Sequence, residues 1–315
     1  MTEAADAPRE VVDLAEQRAA AKVDRDFARA DALRDEIASL GFLVTDGPDG
    51  YRLAPKPPFT LLANLDAVRS SGPLAVGARC AVLLLVDGWP DDVEACVRSV
   101  MTNCDDEVAV VGLDLGNADG AGLVLHALAA EFPGRVHELH LAQSLVQVGW
   151  ANALWALVDA VATEFVASMD LSTILEGDAI RVILGEFTDP GVVASGWRGV
   201  DVALDDNWRT FVDADPGEVD AILGYLLVVR RDAAVQTPPH PKAKFYRNAD
   251  MEWSLALREA GGRLVIPAAA LPVRQERHHG YHDSDPEYRD RESKRTYDRL
   301  LQRFRGKTTI LRPRD

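Results

Sequence analysis

From residue 79 onward, apolar runs of strand length alternate with stretches of helical periodicity, and this alternation constrains the fold more than any other feature of the chain. "CAVLLLV" begins at Cys80, "EVAVVGL" at Glu107, "RVHELHL" at Arg135 and "EFVASM" at Glu164. Between them "PDDVEACVRSVMTNC", "GAGLVLHALAAEFPG" and "GWANALWALVDAVA" read as helices. Pro90 suits a first helical turn, and Asp91 and Asp92 lie near its positive end. Strands apolar on both faces, separated by helices, specify an α/β fold with a mostly parallel, twisted sheet. Ligands of such sheets gather outside the carboxyl ends of the strands. Asp87, Asp114 and Asp170 all fall there.

Three carboxylates brought to one rim repel one another unless a ligand uses them. A sugar nucleotide would do so: Asp114 can accept from a base N–H, and Asp170 can take ribose hydroxyls or a divalent cation on the diphosphate. The alternative is that each aspartate caps a turn, as "DLGNADG" allows for Asp114 and Asp119.

The 315 residues suffice for one large domain or two unequal ones. A formal net charge of −16 argues against whole-surface binding to nucleic acid or anionic membrane. Cys80, Cys96 and Cys104 form no CxxC pair, which fits a reducing cytosol better than a disulfide or zinc framework. The N-terminus shows no signal-peptide pattern, and the apolar runs are shorter than the ~20 residues of a membrane span, so a cytoplasmic protein is expected.

Proline-rich "APKPPF" (54–59) divides the chain, giving an expected module over 1–53, a linker over 54–78 and a second domain over 79–315. In the first module Val11, Leu14, Arg18 and Ala21 share one helix face. Phe27, Ala30, Leu33, Ile37 and Leu40 share another, and Gly41 is placed as its C-cap. "FLVTDGPDGYRL" then reads as a hairpin. Arg18 and "DFARADALRDEIASLGFLVTDGPDG" resemble the extreme C-terminal, anticodon-side module of cysteinyl-tRNA synthetases. "YRL" replaces that family's terminal tryptophan, and no HIGH- or KMSKS-type segment of a synthetase catalytic domain is present. The resemblance makes tRNA a candidate partner, but seven Lys/Arg against twelve Asp/Glu in residues 1–53 favour a docking module over a grip on phosphates.

Residues 79 to about 307 resemble the family 2 glycosyltransferases of the GT-A fold. The likeness runs in order through "VDGWPDDV", "DLGNADG", "GWANAL", "DLS", "AILGYLLVVRRDAAV" and "ADMEWSLALREAGGRLVIP". It implies inverting transfer of a sugar from a nucleoside-diphosphate donor to an acceptor hydroxyl that the pattern leaves open. In that scheme Asp250 stands at the catalytic-base position, with Glu252 as the acid that follows it. Trp253 either stacks on a sugar or fills the core. Asp87, Asp114, Asn152, Asp170 and Ser172 stand at nucleotide-sugar positions. The metal motif D-x-D reads Asp170-Leu171-Ser172, so its second acid is missing. Either Mg²⁺ or Mn²⁺ binds Asp170 together with a histidine such as His282, or a lid of Arg274, Arg277, His278, His279 and His282 offsets the diphosphate without metal.

The tail from residue 289 carries ten Lys/Arg and four Asp/Glu, with Tyr297, Leu300, Leu301 and Phe304 as its apolar stripe. It reads as a helix packed back on the domain, or as a basic surface for anionic lipid or a polyanionic acceptor. The degenerate "DLS" also leaves open a protein that binds nucleotide sugars without turnover, and the first module leaves open a tRNA-associated one.

Overall fold

The computed structural model describes residues 7–47 and 50–314, and the chain divides into two compact units between Thr60 and Leu61. The first contains helices α1 (Arg9–Val23) and α2 (Phe27–Ser39) and the hairpin of β1 (Phe42–Gly47) and β2 (Gly50–Pro55). Asp26 caps α2 by accepting from Arg29 N–H at 3.1 Å, and Gly41 ends it at φ 83°. The hairpin pairs Phe42 with Pro55 and Gly47 with Gly50. Pro48 and Asp49 of the expected turn lie outside the described residues.

Val11, Ala15, Ile37, Val44 and Leu53 make this unit's core. Arg18 is not an apolar filler on that face: its guanidinium grips Asp46 on the hairpin at 2.8 and 3.0 Å, and Lys22 joins at 2.7 Å. Those hydrogen bonds hold the Asp46 carboxyl well below the usual carboxylate range. Phe27 departs from its expected place on the apolar face. It opens α2 before the buried stripe begins and is 61% exposed.

In the second unit the stretch expected as linker is partly folded. Residues 61–78 carry β3 (Leu61–Leu62) and α3 (Leu65–Ser70). β3 adds to a sheet edge opposite His140 and Leu141, and Val68 of α3 is fully buried. The prolines at 55–58 do interrupt the chain, but the apolar residues that follow find a sheet to cover.

The chain then runs β4 (Cys80–Val86), α4 (Pro90–Asn103), β5 (Val108–Leu115), α5 (Ala121–Glu131), β6 (Val136–Leu141), α6 (Leu145–Val148), α7 (Trp150–Ala160) and β7 (Phe165–Met169). Short elements follow: β8 (Thr173–Leu175), α8 (Ala179–Gly185), β9 (Val192–Gly196), β10 (Gly199–Val202), β11 (Phe211–Asp213), β12 (Gly217–Glu218) and β13 (Ala221–Ile222). The last are β14 (Leu226–Arg230), α9 (Arg231–Gln236), α10 (Ala249–Glu259), β15 (Arg263–Ile266), β16 (Val273–Gln275), α11 (His279–His282) and α12 (Pro286–Phe304).

Nine strands form one sheet in the order β12-β15-β9-β14-β7-β4-β5-β6-β3. β7, β4, β5, β6 and β3 run parallel, while β14 is antiparallel to both its neighbours. Strand alternation separates two cores. Ala81, Leu83, Val111 and Leu113 pack with α7 and α10, and Val82, Leu84, Val110 and Phe165 pack with α4, α5 and α8. Burying each such leucine contributes about 1.5–3 kcal/mol. "AILGYLLVV" is not one strand: it breaks at 223–225 into β13 and β14, which lie in different sheets, and Gly224 passes close to Asp250.

The basic tail is an internal brace. Leu300 and Phe304 of α12 pack with Leu255 and Ala256 of α10, while Glu252, 1% exposed, takes a bidentate ion pair from Arg299 at 2.6 and 2.5 Å. Arg303 and Lys307 pair with Glu259, Arg312 with Asp201, and Arg314 with Asp220. These five cations are matched within the unit. Arg299→Ala would strand the Glu252 charge in the interior. Chemical denaturation should show the second unit less stable by about 3–5 kcal/mol, with Glu252→Gln in the same background recovering much of the loss.

Candidate active site

A cavity of about 340 Å³ opens at the carboxyl ends of β4 and β7, within the size range of small-molecule sites. Asp87 follows β4, Asp170 follows β7, and Asp250 stands in the first turn of α10; all three line it, with Ser172, His278 and His279. Their convergence follows from topology, because parallel strands end on the same rim and the antiparallel β14 brings α10 back over it.

Each acid is recessed yet reaches the cavity, and their environments differ. Asp250 Oδ2 accepts from Gly224 N–H and Oδ1 from Met251 N–H, both at 2.8 Å. Burial nonetheless pushes its pKa up to about 6, against the pull of those N–H groups. Burial, then the Asp170 charge, pushes Asp87 up to about 7. For Asp170, burial acts upward, but His278 and Ser172 outweigh it and the carboxyl is lowered. Ser172 binds Asp170 Oδ1 twice, from its N–H at 2.9 Å and from its hydroxyl at 2.5 Å. The residue that replaces the second acid therefore joins His278 in holding the first one ionised.

His278 Nε2 lies 3.0 Å from Asp170 Oδ2, at ion-pair distance but outside hydrogen-bond alignment, and is buried without a hydrogen-bonding partner. The ring stacks on Tyr246 at 4.8 Å. His279 Nδ1 meets Asp92 at 2.7 Å and its ring stacks on Trp89 at 6.4 Å, which fastens the 276–282 segment to the start of α4. Trp89 itself sits in the left-handed region at φ 55°, a strained conformation for an aromatic residue.

Other expected residues lie elsewhere. Asp114 is fully buried and absent from the cavity wall; it binds His140 Nδ1 at 2.8 Å and Asn117 N–H at 2.9 Å. It points to the α5 face of the sheet, not to the rim. Asn152 donates to Val148 C=O one turn back along the chain. Glu252 faces Arg299, one helical face away from Asp250. Trp253 is core, with Nε1 donating to Thr237 C=O at 2.7 Å, so it cannot stack on a sugar. Arg274 pairs with Glu176 and Glu276, and Arg277 with Asp283, on the exposed side of the segment. His282 does not line the cavity: the single turn of α11 turns it away, and His278 takes the place beside Asp170.

The wall also includes Trp89, Asp92, Trp150, Tyr225, Tyr246 and Arg247, none of them expected from sequence. Arg247 donates to the Tyr281 hydroxyl and lies over its ring. Aromatic residues scattered over separate loops and the start of α7 carry no spacing signal. The usable cue was that Trp89, Trp150 and Tyr225 lie inside the segments "VDGWPDDV", "GWANAL" and "AILGYLLVVRRDAAV", and Tyr246 three residues before "ADMEWSLALREAGGRLVIP".

No protein-family model matches the chain. Its N-terminal region is similar to cysteine–tRNA ligases: 57% identical over 51 residues to that of Opitutus terrae and 56% over 43 residues to that of Nitratidesulfovibrio vulgaris. Those matches cover 16% and 14% of this chain and 11% and 9% of the ligases, so the chain spans a small fraction of their length. Among solved structures it is similar to GalNAc-T7 with UDP, GalNAc and Mn²⁺, with TM-score 0.59 and 12% identity over 71% of this chain and 48% of that one. It is also similar to a mannosyltransferase of Pyrobaculum calidifontis in complex with GDP-Man and Mn²⁺, with TM-score 0.50 and 14% identity over 69% of this chain and 66% of that one. The second unit has the mostly parallel α/β architecture of GT-A glycosyltransferases, and the first is similar in sequence to a short segment of cysteine–tRNA ligases.

Proposed function

We infer that the second unit transfers a sugar from a nucleoside diphosphate to an acceptor hydroxyl with inversion at the anomeric carbon. The observation that carries this reading is the shared cavity. Asp250, raised to about 6, faces the same space as the ionised Asp170 and His278. A base poised near the working pH can take the hydroxyl proton as the oxygen attacks the anomeric carbon and the bond to the diphosphate breaks. Hydrogen bonds from Gly224 and Met251 N–H keep the carboxylate oriented as its charge changes. Trp89, Trp150, Tyr225 and Tyr246 offer flat apolar surface for the base and the sugar, the part that sequence had offered to Trp253.

Among the described residues, Arg247 is the one Lys or Arg in a wall that also holds Asp87, Asp92, Asp170 and Asp250. The residues fit a divalent metal: His278 Nε2 is a buried nitrogen without a hydrogen-bonding partner beside Asp170 Oδ2. Such coordination places the ring proton on Nδ1, giving up its 3.2 Å contact from Tyr281 N–H. Mg²⁺ or Mn²⁺ held there would supply positive charge to the departing diphosphate. For the first unit the reading is a docking module, given its acidic balance.

Asp250→Asn should lower transfer by about 10²–10⁴-fold while nucleoside-diphosphate affinity, read by thermal shift, stays nearly intact. Equal loss of both would remove it from the base role. Because the base acts only when deprotonated, kcat should rise with pH through about 6 and level off above. A profile flat from pH 5 to 8 in a chemistry-limited assay contradicts the assignment. With UDP, GDP or TDP and Mn²⁺, the stabilising shift should vanish in His278→Ala and persist in His282→Ala. Proton NMR of the first product reads the anomeric configuration. Shifts by nucleoside diphosphates without turnover of any donor would point to the binding-only protein that Ser172 leaves open, and no shift at all would overturn both readings.

A further inference from the structure

A second group of ligating side chains gathers on the α5 face of the sheet, apart from the cavity. Parallel register sets Gly112 beside Glu138 and Asp114 beside His140, so Glu138 and His140 point the same way from β6. α5 lays His126 over them. It approaches closely because Gly112 has no side chain; a Cβ there would come 2.6 Å from Leu125 Cδ1. His126 Nδ1 lies 2.9 and 3.0 Å from the two Glu138 oxygens, and His140 Nε2 lies 2.8 Å from Glu138 Oε2. The other nitrogen of His140, Nδ1, lies 2.8 Å from Asp114 Oδ2.

His140 is 2% exposed and faces a carboxylate from each ring nitrogen. A neutral imidazole has one donor and one acceptor. With Nδ1–H given to Asp114, Nε2 turns a lone pair toward the Glu138 carboxylate at 2.8 Å. Two acceptors in contact repel unless positive charge joins them, and a second imidazole, His126, converges on the same carboxylate. An imidazolium or a metal ion satisfies this arrangement. The metal also explains why three ligating side chains, their ligand atoms all within 4.8 Å of one another, meet at one point.

We propose that His126, Glu138 and His140 bind a divalent transition metal of the zinc type, with Asp114 fixing the tautomer of His140. Two imidazoles and a carboxylate suit Zn²⁺, and a carboxylate on the far nitrogen of a ligating histidine is the usual support of such sites. Ligands about 2.0–2.1 Å from a tetrahedral ion stand about 3.3 Å apart. The present contacts therefore open by a few tenths of an ångström, which the half-buried His126 and Glu138 allow. The ion joins α5 to β6. Through Asp114, which also accepts from Asn117 N–H, it reaches the 116–120 turn. Its role is structural and does not rest on glycosyl transfer.

The test uses the full chain, stripped with chelator and titrated with Zn²⁺, then with Co²⁺ to read coordination by its visible spectrum. Beyond any ion held at Asp170 and His278, one equivalent should bind with a tetrahedral Co²⁺ signature and raise the melting temperature. His126→Ala and Glu138→Gln, each altering a partly exposed side chain, should keep the circular dichroism of the wild type and lose at least tenfold in affinity for that equivalent. Asp170→Asn and His278→Ala, in the cavity, should retain it. The proposal fails if the wild-type chain holds no Zn²⁺ in dialysis against micromolar free metal. It fails equally if both cluster variants bind as the wild type does, or if the bound equivalent is lost with Asp170 or His278 instead.

Discussion

The parallel pairing of β7, β4 and β5 is the constraint from which the rest of the second unit follows. A parallel ladder needs a crossover between successive strands, and the crossovers here are helices that cover both faces. Each strand must then be largely apolar on both sides, so most polar residues are displaced to the turns. Because the strands run the same way, those turns open at one rim. Asp87 and Asp170 are neighbours there through hydrogen-bonded backbone, although 82 positions of sequence intervene between them.

Once acids are gathered in a recess, their chemistry is set by what surrounds each. Asp170 is held ionised by His278 and Ser172, whereas Asp87 and Asp250 are pushed upward by burial. One cavity therefore holds a fixed negative charge and two carboxyls that titrate near neutrality, the separation that acid–base chemistry requires. Away from the rim the same chain treats charge differently. Glu252, only two residues after Asp250, is neutralised by Arg299 and serves packing. On a helix, two residues apart means a different face.

Much of the architecture was legible. Unbroken apolar runs at Cys80, Val108 and Phe165 carry strand identity and burial on both faces, and Gly41 marks a helix end by its conformational freedom. Asp87, Asp170 and Asp250 were legible as residues of one rim because each follows or opens an element whose position the fold class implies. The misreadings share a cause. Asn152, Trp253, Arg274, Arg277 and His282 were assigned by proximity in sequence, but the direction of a side chain depends on helix phase and on the turn of a short segment. Asp114 sits at a strand end as expected, yet strand alternation aims it at His140. The linker was misplaced because proline marks where regular structure stops, and carries nothing about how soon it resumes.

The sequence by itself determined the class of fold, the order of its strands and helices, and which carboxylates stand at strand ends, because periodicity and backbone propensity act over a few residues. The tertiary structure alone decided which side chains share a space. His278 rather than His282 meets Asp170, aromatics from distant parts of the chain line the cavity, and His126, Glu138 and His140 converge on a different face. The reason is physical: desolvation, charge pairing and ligand geometry depend on distances through space, and a linear pattern holds those only after strand register and helix phase have been fixed.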